Sequence, residues 1–489
     1  MKKIFSIILA TVLLLSLTAC AGGDATQTAA PTDTTAAAQN VFMAGFGEAN
    51  ITPDFPVEMT GYGNNSTRIS TGKLIDLYVY VLAVRDADGN TALIIGSDLM
   101  NHGTSQSDKI AKWAEENVKV PAENVIFSSA HQHSTPGLGE AKYADFAYPQ
   151  IYQAIEDAVN DLAPAEMFIN RVETKGLNFV RHYVTANGDI VTPNHNDHLR
   201  SEIVGHESEV DNEMQLVKFK RGEDKKDIIV VNFQTHPYKS TGGTKTQLSS
   251  DWIGIIRDKV SKELDCGVLY FSGAGGNVAD GSDISEENKY TDWKAHGERA
   301  AKYVLNAEDS YTQVQTGAVK VKKVTVTYDT NHSMDSLVNE AMPIYEEYTK
   351  GDFNKSKEMA KAHPDFFSVY HARSVVTNSK LEPTRDMAIT AISIGDVAFT
   401  AHPYEMFDTN GMELKSGTVG NENYEADEQL ENPYEMTIIT TIANGYYNYI
   451  PSAMGYKNGG YATDTASYAP GTGERVVGDF LQILNELHD

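Results

Sequence analysis

Asn124-Val125-Ile126-Phe127-Ser128-Ser129-Ala130-His131-Gln132-His133-Ser134-Thr135-Pro136-Gly137 is the stretch on which the reading of this chain turns. Its first four residues form a short apolar run that reads as a buried strand. A strand that runs into two histidines, hydroxyl side chains and Pro-Gly has stopped building core and begun building a site. In extended chain, residues two apart point the same way. His131 and His133 can therefore face one cleft, one as a metal ligand and the other beside it as a proton carrier. A solvated polar loop can also contain His-x-His, so the rest of the chain has to decide.

The segments on either side repeat the pattern. Leu77 to Val84 reads as a strand, and Thr91 to Gly96 as a second that ends at Ser97-Asp98. A helix follows from about Ser105 to Val118, with Ile110, Trp113 and Ala114 on one face. Beyond the histidines, Ile151, Ala154, Ile155, Ala158 and Val159 give helical spacing to Ile151 to Leu162. Ile228 to Phe233 is a strand running into Thr235-His236-Pro237. Asp251 to Leu264 is a helix, and Val268 to Phe271 a strand running into Ser272-Gly273-Ala274-Gly275-Gly276-Asn277. Strand, polar loop and helix in repetition predict an α/β sheet with parallel strands. Ligands of such sheets gather outside the carboxyl ends of the strands. Asp98, His131, His133, His236 and the loop at Gly273 all fall at that edge.

The second half differs. Val319 to Thr327 alternates like a half-exposed strand, with a bulge expected at Lys322-Lys323. Ser333 to Ala362 reads as a charged, helical surface excursion. Met387 to Ile394 and Val397 to Thr400 flank Gly395-Asp396 as a hairpin, which ends at Ala401-His402-Pro403-Tyr404-Glu405. Met436 to Ile442 is a strand ending in Ala443-Asn444-Gly445-Tyr446-Tyr447-Asn448-Tyr449-Ile450-Pro451. A helix from about Glu474 closes the chain, apolar at Val476, Val477, Phe480, Leu481 and Leu484. There is no internal repeat and no second linker. The fold class is α/β: a mixed-sheet core with parallel βα units and added antiparallel strands, in a single large domain from 41 to 489.

The chain starts with Lys2 and Lys3, an apolar run from Ile4 to Leu17, and Leu17-Thr18-Ala19-Cys20. This is an export signal with a small-residue cleavage site. It is shorter than the roughly twenty residues of a comfortable span. Its ending resembles that of a bacterial lipoprotein signal, which makes Cys20 the lipidated first residue of the mature protein and 1–19 the removed leader. Residues 20–40, rich in Ala, Thr and Gly, read as a flexible tether. The expected location is outside the cytoplasm, anchored to the bacterial membrane by lipid alone. The other of the two cysteines, Cys266, heads an apolar strand and reads as a small buried side chain. A formal net charge of −27 argues against nucleic acid and against an electrostatic grip on anionic lipid.

Several motifs together resemble the catalytic domain of the neutral ceramidase family. Ala44-Gly45-Phe46-Gly47-Glu48-Ala49-Asn50-Ile51-Thr52-Pro53, with Gly61-Tyr62, resembles the family's opening. Ala130 to Gly137 is similar to its His-Thr-His-Ser-Gly-Pro-Gly. Thr235-His236-Pro237 with Ser250-Asp251 and Gly254 resembles its second histidine segment, and Pro403-Tyr404-Glu405 its Pro-Gly-Glu. Asn444-Gly445-Tyr446 through Tyr449, then Gly460-Tyr461, resembles its closing tyrosine segment. The resemblance runs from about Ala44 to the end and leaves no room for the family's C-terminal immunoglobulin-like domain.

The resemblance implies one zinc ion held by His131, His236, Glu405 and Tyr449. It makes His133 the residue that carries a proton to the leaving amine, and Arg181 and Tyr461 the groups that hold the substrate carbonyl. Asp98 and Asp251 are candidate carboxylates orienting a ligand histidine, and His402 reads as structural. Zinc chemistry agrees with imidazole plus oxygen ligands and a position left for water. One loop departs from the family. Where ceramidases carry Gly-Asp-Val-Ser-Pro, this chain has Gly276-Asn277-Val278-Ala279-Asp280. Ala279 offers no nucleophile, which leaves attack to metal-activated water and puts ceramide as the substrate in doubt. Asp280 and Asp283 are a weaker candidate for a second, structural cation, Ca2+ or Mg2+. The expected partner is a small-molecule or lipid substrate, cut at an amide (N-acyl) bond. Two alternatives stay open at this point: a zinc hydrolase of an ester or of another envelope or carbohydrate-linked bond, and a non-catalytic binding lipoprotein on the same fold.

Overall fold

In the computed structural model, Met43–Asn50 forms β1, Tyr78–Arg85 β2 and Thr91–Ser97 β3. The structure describes residues 41–62, 68–192, 195–241, 246–281, 292–366, 368–417 and 430–489. The leader, Cys20, the tether and Asp283 lie outside the described residues. Helix α1 (Thr104–Val118) leads to β4 (Val125–Ser129), and α2 (Ala141–Asn160) to β5 (Ala163–Glu173). Then come β6 (Glu213–Arg221), β7 (Ile228–Phe233), α3 (Asp251–Leu264), β8 (Gly267–Ser272), α4 (Trp293–Asn306) and β9 (Thr312–Val314).

These strands make one sheet in the order β8-β7-β6-β5-β1-β2-β3-β4, with β9 paired to β5. The parallel pairs in it are β3–β4 and β7–β8. Each is closed by a helix, so a βαβ unit stands at either end with antiparallel strands between them. The sheet also turns a corner. β5 pairs with β1 only through Ala163 and Pro164, and with β6 from Ala165 to Glu173. Its two limbs face each other: Tyr80 of β2 donates its O–H to the Tyr270 carbonyl of β8 at 2.9 Å. Ser272 at the end of β8 likewise donates to the Ala130 carbonyl beyond β4 at 3.0 Å. The corner thus brings the carboxyl ends of the two βαβ units together.

Period-two alternation divides the side chains of β2. Tyr80, Leu82 and Val84 enter the core between the limbs, while Val79, Val81 and Ala83 lie with residues of α1 and α2. β1 needs its glycines for the same packing. A Cβ on Gly45 or Gly47 would fall 2.1 Å from the Ala158 or Ala154 carbonyl oxygen of α2.

The second sheet has the order β10 (Val319–Asp329), β11 (Thr384–Ile394), β12 (Val397–Ala401) and β13 (Met436–Thr440). β12 and β13 are parallel and joined through α8 (Asp408–Ser416), a third βαβ unit. Ile392, Ile394, Phe399 and Ile438 join the first core; Met387, Ile389, Ala398 and Ile439 pack with the closing helix, Thr472–His488. The expected bulge at Lys322-Lys323 is absent. The register runs unbroken because Lys320 and Lys322 keep to one face, where they meet the Leu487 carbonyl and Glu486 of the closing helix. The excursion forms three helices, α5 (Val338–Thr349), α6 (Phe353–Lys361) and α7 (Val369–Asn378), with a small core of their own.

Asn40–Asp489 is one compact unit. Among the described residues no helix is long and apolar enough to cross a membrane. Cys266 is buried, and burial pushes its thiol up to about 12, the state of an inert core cysteine.

Candidate metal centre

Three carboxyl ends supply the site: His131 follows β4, His236 follows β7, and Glu405 follows β12. The segment after β13 sews them together. Ser128 donates to the Thr441 carbonyl at 2.9 Å and the Ser129 N–H to that of Ile442 at 3.1 Å, while the Thr441 N–H reaches Ser272 at 3.2 Å. The backbone is strained at these joints. His131, Ile442, Asn444 and Asn448 have φ of 66°, 50°, 58° and 65°. Asparagine tolerates this region, but a β-branched isoleucine there is a genuine outlier, held by the surrounding structure.

The His236 Nε2 lies 2.9 Å from Glu405 Oε2, and the His131 Nε2 lies 3.3 Å from the same oxygen. Each ring is oriented from behind. His236 Nδ1 is 2.8 Å from the Val278 carbonyl and His131 Nδ1 is 3.1 Å from that of Met100. A carbonyl only accepts, so both Nδ1 atoms carry hydrogen and both Nε2 atoms, in the neutral ring, offer a lone pair. Burial and the Arg181 charge, against the pull of Glu405, hold His236 down to about 4. Glu405 is also buried, which disfavours its charge, but positive charge and N–H donation from the imidazoles facing it, His131 foremost, keep it well below the usual carboxylate range. With the imidazoles neutral, their lone pairs face that carboxylate oxygen across 3 Å or so instead. A cation bound among them resolves that repulsion, and backing of ligand imidazoles by backbone carbonyls is what metal sites use.

His133 stands beside this pair, its ring centroid 4.9 Å from His131 and 6.1 Å from His236. One ligand atom from each of the three histidines lies within 4.8 Å of the others, so the three can hold a metal ion. Neither nitrogen of His133 has a hydrogen-bond partner among the described residues. Burial and the neighbouring His131 and His236 keep the ring well below the usual imidazole range, hence neutral. Gly61 closes over it: a Cβ there would sit 2.9 Å from the His133 Cα. A cavity of about 970 Å³ adjoins, walled by Thr60, Gly61, Met100 and His102.

Glu405 and Tyr449 are directly opposed in a short parallel pair. The Tyr449 hydroxyl accepts from Arg181 at 3.1 Å, and Arg181 also donates to the Gly276 carbonyl at 2.7 Å. The ring of Tyr461 is 6.1 Å from that of Tyr449, and burial pushes its phenol up to about 12. The hydroxyl on Glu405 is that of Tyr446, 2.7 Å from Oε1. Tyr446 is one of three tyrosines within four residues, and the sequence offers nothing to rank them. Tyr238, whose ring is 5.8 Å from that of His133, was also missed. Its signal was its place two residues after His236.

Asp98 and Asp251 do not orient ligand histidines; the structure corrects both. Asp98 is buried against Arg257 at 2.5 Å. Asp251 accepts the Ser240 N–H and O–H, each at 2.6 Å, and so fixes the start of α3. His402 is buried against Tyr404 and Phe480. Ala279 is buried and bridges to His236 backbone to backbone. Asn277 is bonded to Asp408 at 2.6 Å. Asp280 receives the Trp252 N–H at 2.9 Å and faces Lys239 at 3.9 Å, and burial pushes its carboxyl up to about 8.

Residues 42–267 match the family model described as neutral/alkaline non-lysosomal ceramidase, N-terminal. His131, His133, Arg181 and His236 lie inside that stretch; Glu405, Tyr449 and Tyr461 lie beyond it. The fold is similar to that of the neutral ceramidase from Pseudomonas aeruginosa, with a TM-score of 0.66 at 16% identity, covering 91% of this chain and 74% of that one. It is similar also to a ceramidase complexed with C2, at 0.65 and 16%, covering 92% and 75%. A search of curated proteins gave no match. The chain has the fold of the neutral ceramidases and, over residues 42–267, is similar in sequence to the N-terminal part of that family.

Proposed function

We propose that the protein is a zinc-dependent hydrolase that cleaves an amide, an N-acyl bond, and is tied to the outer face of a bacterial membrane through Cys20. The observation that carries the reaction is the meeting of His131, His236 and Glu405, with both imidazoles backed by carbonyls and their lone pairs turned inward. Those three, with Tyr449 beside them, would hold the ion. Bound zinc would polarise a carbonyl and bring the pKa of water to about 7.

The chain's own groups do the rest. His133 is neutral, so it can take the proton released as water adds to the carbonyl and give it to the departing amine nitrogen. Arg181, held by the Gly276 carbonyl and the Tyr449 hydroxyl, brings a fixed positive charge toward the oxygen that becomes negative. Tyr461, still protonated at neutral pH, is a second donor for that oxygen. Ala279 brings no hydroxyl, which favours an acyl substrate other than ceramide.

Zinc analysis and turnover of His131→Ala and His133→Ala, on a panel of N-acyl amides and esters, test the reading. His131→Ala is expected to lose both zinc and activity. His133→Ala is expected to keep zinc and lose activity by about 10²–10⁴-fold. Equal zinc loss in both would overturn the division of roles. No turnover of any amide or ester by zinc-loaded protein would move the binding-lipoprotein alternative to first place.

A further inference from the structure

Three consecutive residues, Gly276-Asn277-Val278, touch the supports of three working groups by backbone alone. The Gly276 N–H donates to the Met406 carbonyl at 2.7 Å, one residue past Glu405. The Gly276 carbonyl accepts from the Arg181 side chain at 2.7 Å, and the Asn277 carbonyl accepts the Arg181 N–H at 2.9 Å. The Val278 carbonyl backs His236 Nδ1 at 2.8 Å. The place of this segment therefore sets how far Glu405 stands from His236, and where the Arg181 charge lies relative to both.

What fixes the segment is a side-chain pair outside the centre. Asn277 and Asp408, the first residue of α8, are both buried. Asn277 donates its Nδ2 to Asp408 Oδ1 at 2.6 Å, and its Oδ1 accepts the Asp408 N–H at 2.9 Å. Both ends of one amide are thus spent on one residue, three positions after Glu405. The carboxylate is filled on its other sides: Oδ1 also accepts the Thr409 N–H at 2.9 Å, and Oδ2 that of Asp211 at 3.3 Å. Burial pushes the carboxyl up to about 6, so at neutral pH it is an ion and only accepts. The group facing Oδ1 must then be a donor. Asparagine is; an aspartate of the same size would set two buried carboxylates against each other, and a buried charge without its partner is costly.

We propose that Asn277 and Asp408 are the positioning pair of the metal centre, the contact through which His236 and Arg181 are held in register with Glu405. Neither residue touches substrate or ion; each acts through the segment between them. The inference rests on the amide-hydrolase reading and adds two residues to it.

The test is a swap. In Asn277→Asp, zinc affinity by chelator competition is expected to fall by about 10–100-fold, and kcat by about 10²-fold, the cost of a misplacement of about 1 Å. Asp408→Asn in that background returns a donor to the contact from the other side. It is expected to bring zinc affinity and kcat back to within about ten-fold of the parent. If Asn277→Asp does not fold, Asn277→Ala, which adds no charge, is expected to show the same two losses. Parent-like zinc affinity and kcat in the folded single variant would overturn the proposal. So would a swap that restores stability to urea but neither zinc affinity nor kcat, since the pair would then serve the fold alone. Zinc affinity is read without turnover: a loss that the swap reverses, in a protein that hydrolyses no amide, sinks the reaction and leaves the pair standing.

Discussion

Glu405 has a different neighbour at each oxygen. One faces the two imidazoles, and the other accepts the Tyr446 hydroxyl at 2.7 Å. A group that hydrogen-bonds a ligand carboxylate fixes its rotation, and removing such a group typically lowers metal affinity by about 10–100-fold. Tyr446→Phe is expected to show that loss in a chelator competition. Tyr449→Phe removes a proposed ligand oxygen and also frees Arg181, so zinc affinity and turnover should fall together. Unchanged zinc affinity in Tyr446→Phe would show that Glu405 is held by its backbone alone.

At the level of elements, the loop Gly275-Gly276-Asn277 is pressed against the strand segment that carries Glu405. A Cβ on Gly276 would lie 2.5 Å from the Glu405 carbonyl oxygen and 2.9 Å from that of Met406. Gly276→Ala must therefore push Glu405 away from the histidines. Zinc content should fall while the far-ultraviolet spectrum stays that of a folded protein; full zinc occupancy would refute the contact. Much at this scale was legible in the sequence. Ile228 to Phe233 and Asp251 to Leu264 were read with the bounds the structure gives, because apolar runs and helical spacing there compete with nothing. The helix expected from Ile151 starts earlier, at Ala141, and passes through Pro149. β5 and β6 were not read at all. Their burial alternates with charged residues such as Glu166, Arg171 and Lys218, and their role, turning the sheet through a corner, is a long-range property. The histidines were legible for the opposite reason, since each closely follows an apolar strand, whereas Glu405 came only from the resemblance to the neutral ceramidases. Tyr446 was not, since choosing among neighbouring tyrosines takes the side-chain directions.

The molecule as a whole carries buried histidines outside the cluster that folding keeps neutral. Burial holds His402 at about 3, against 6.5 in the unfolded chain. Stability from that difference is fully present above pH 6.5 and is lost as pH falls from 6.5 toward 3, by about 1.4 kcal/mol per pH unit. His402→Leu removes the ring, so the variant should gain on the parent by about 2 kcal/mol between pH 7 and pH 5 in urea unfolding. Parallel stability curves would show that His402 titrates normally. The proposed lipid anchor is the other property of this scale. Cys20→Ser is expected to leave the membrane fraction, and protein starting at Val41 to keep the fold, since Asn40–Asp489 is a compact unit by itself. Membrane attachment that survives the substitution would count against lipid at Cys20.

The sewing of three βαβ units by one late segment has a consequence for timing. His131 is made early and His236 midway, but Glu405 and the tyrosines that brace it come only in the last fifth or so of synthesis. A chain stopped short of residue 446 has imidazoles without their carboxylate's brace, and the strained joint at Ile442 has nothing to hold it. Loading with the proposed ion would thus be a closing event in the life of the chain. On the proposed reading that Met1 to Ala19 lead the chain across a membrane, that event would belong to the far side, and the metal supply there, more than the cytoplasmic one, would decide which ion is taken.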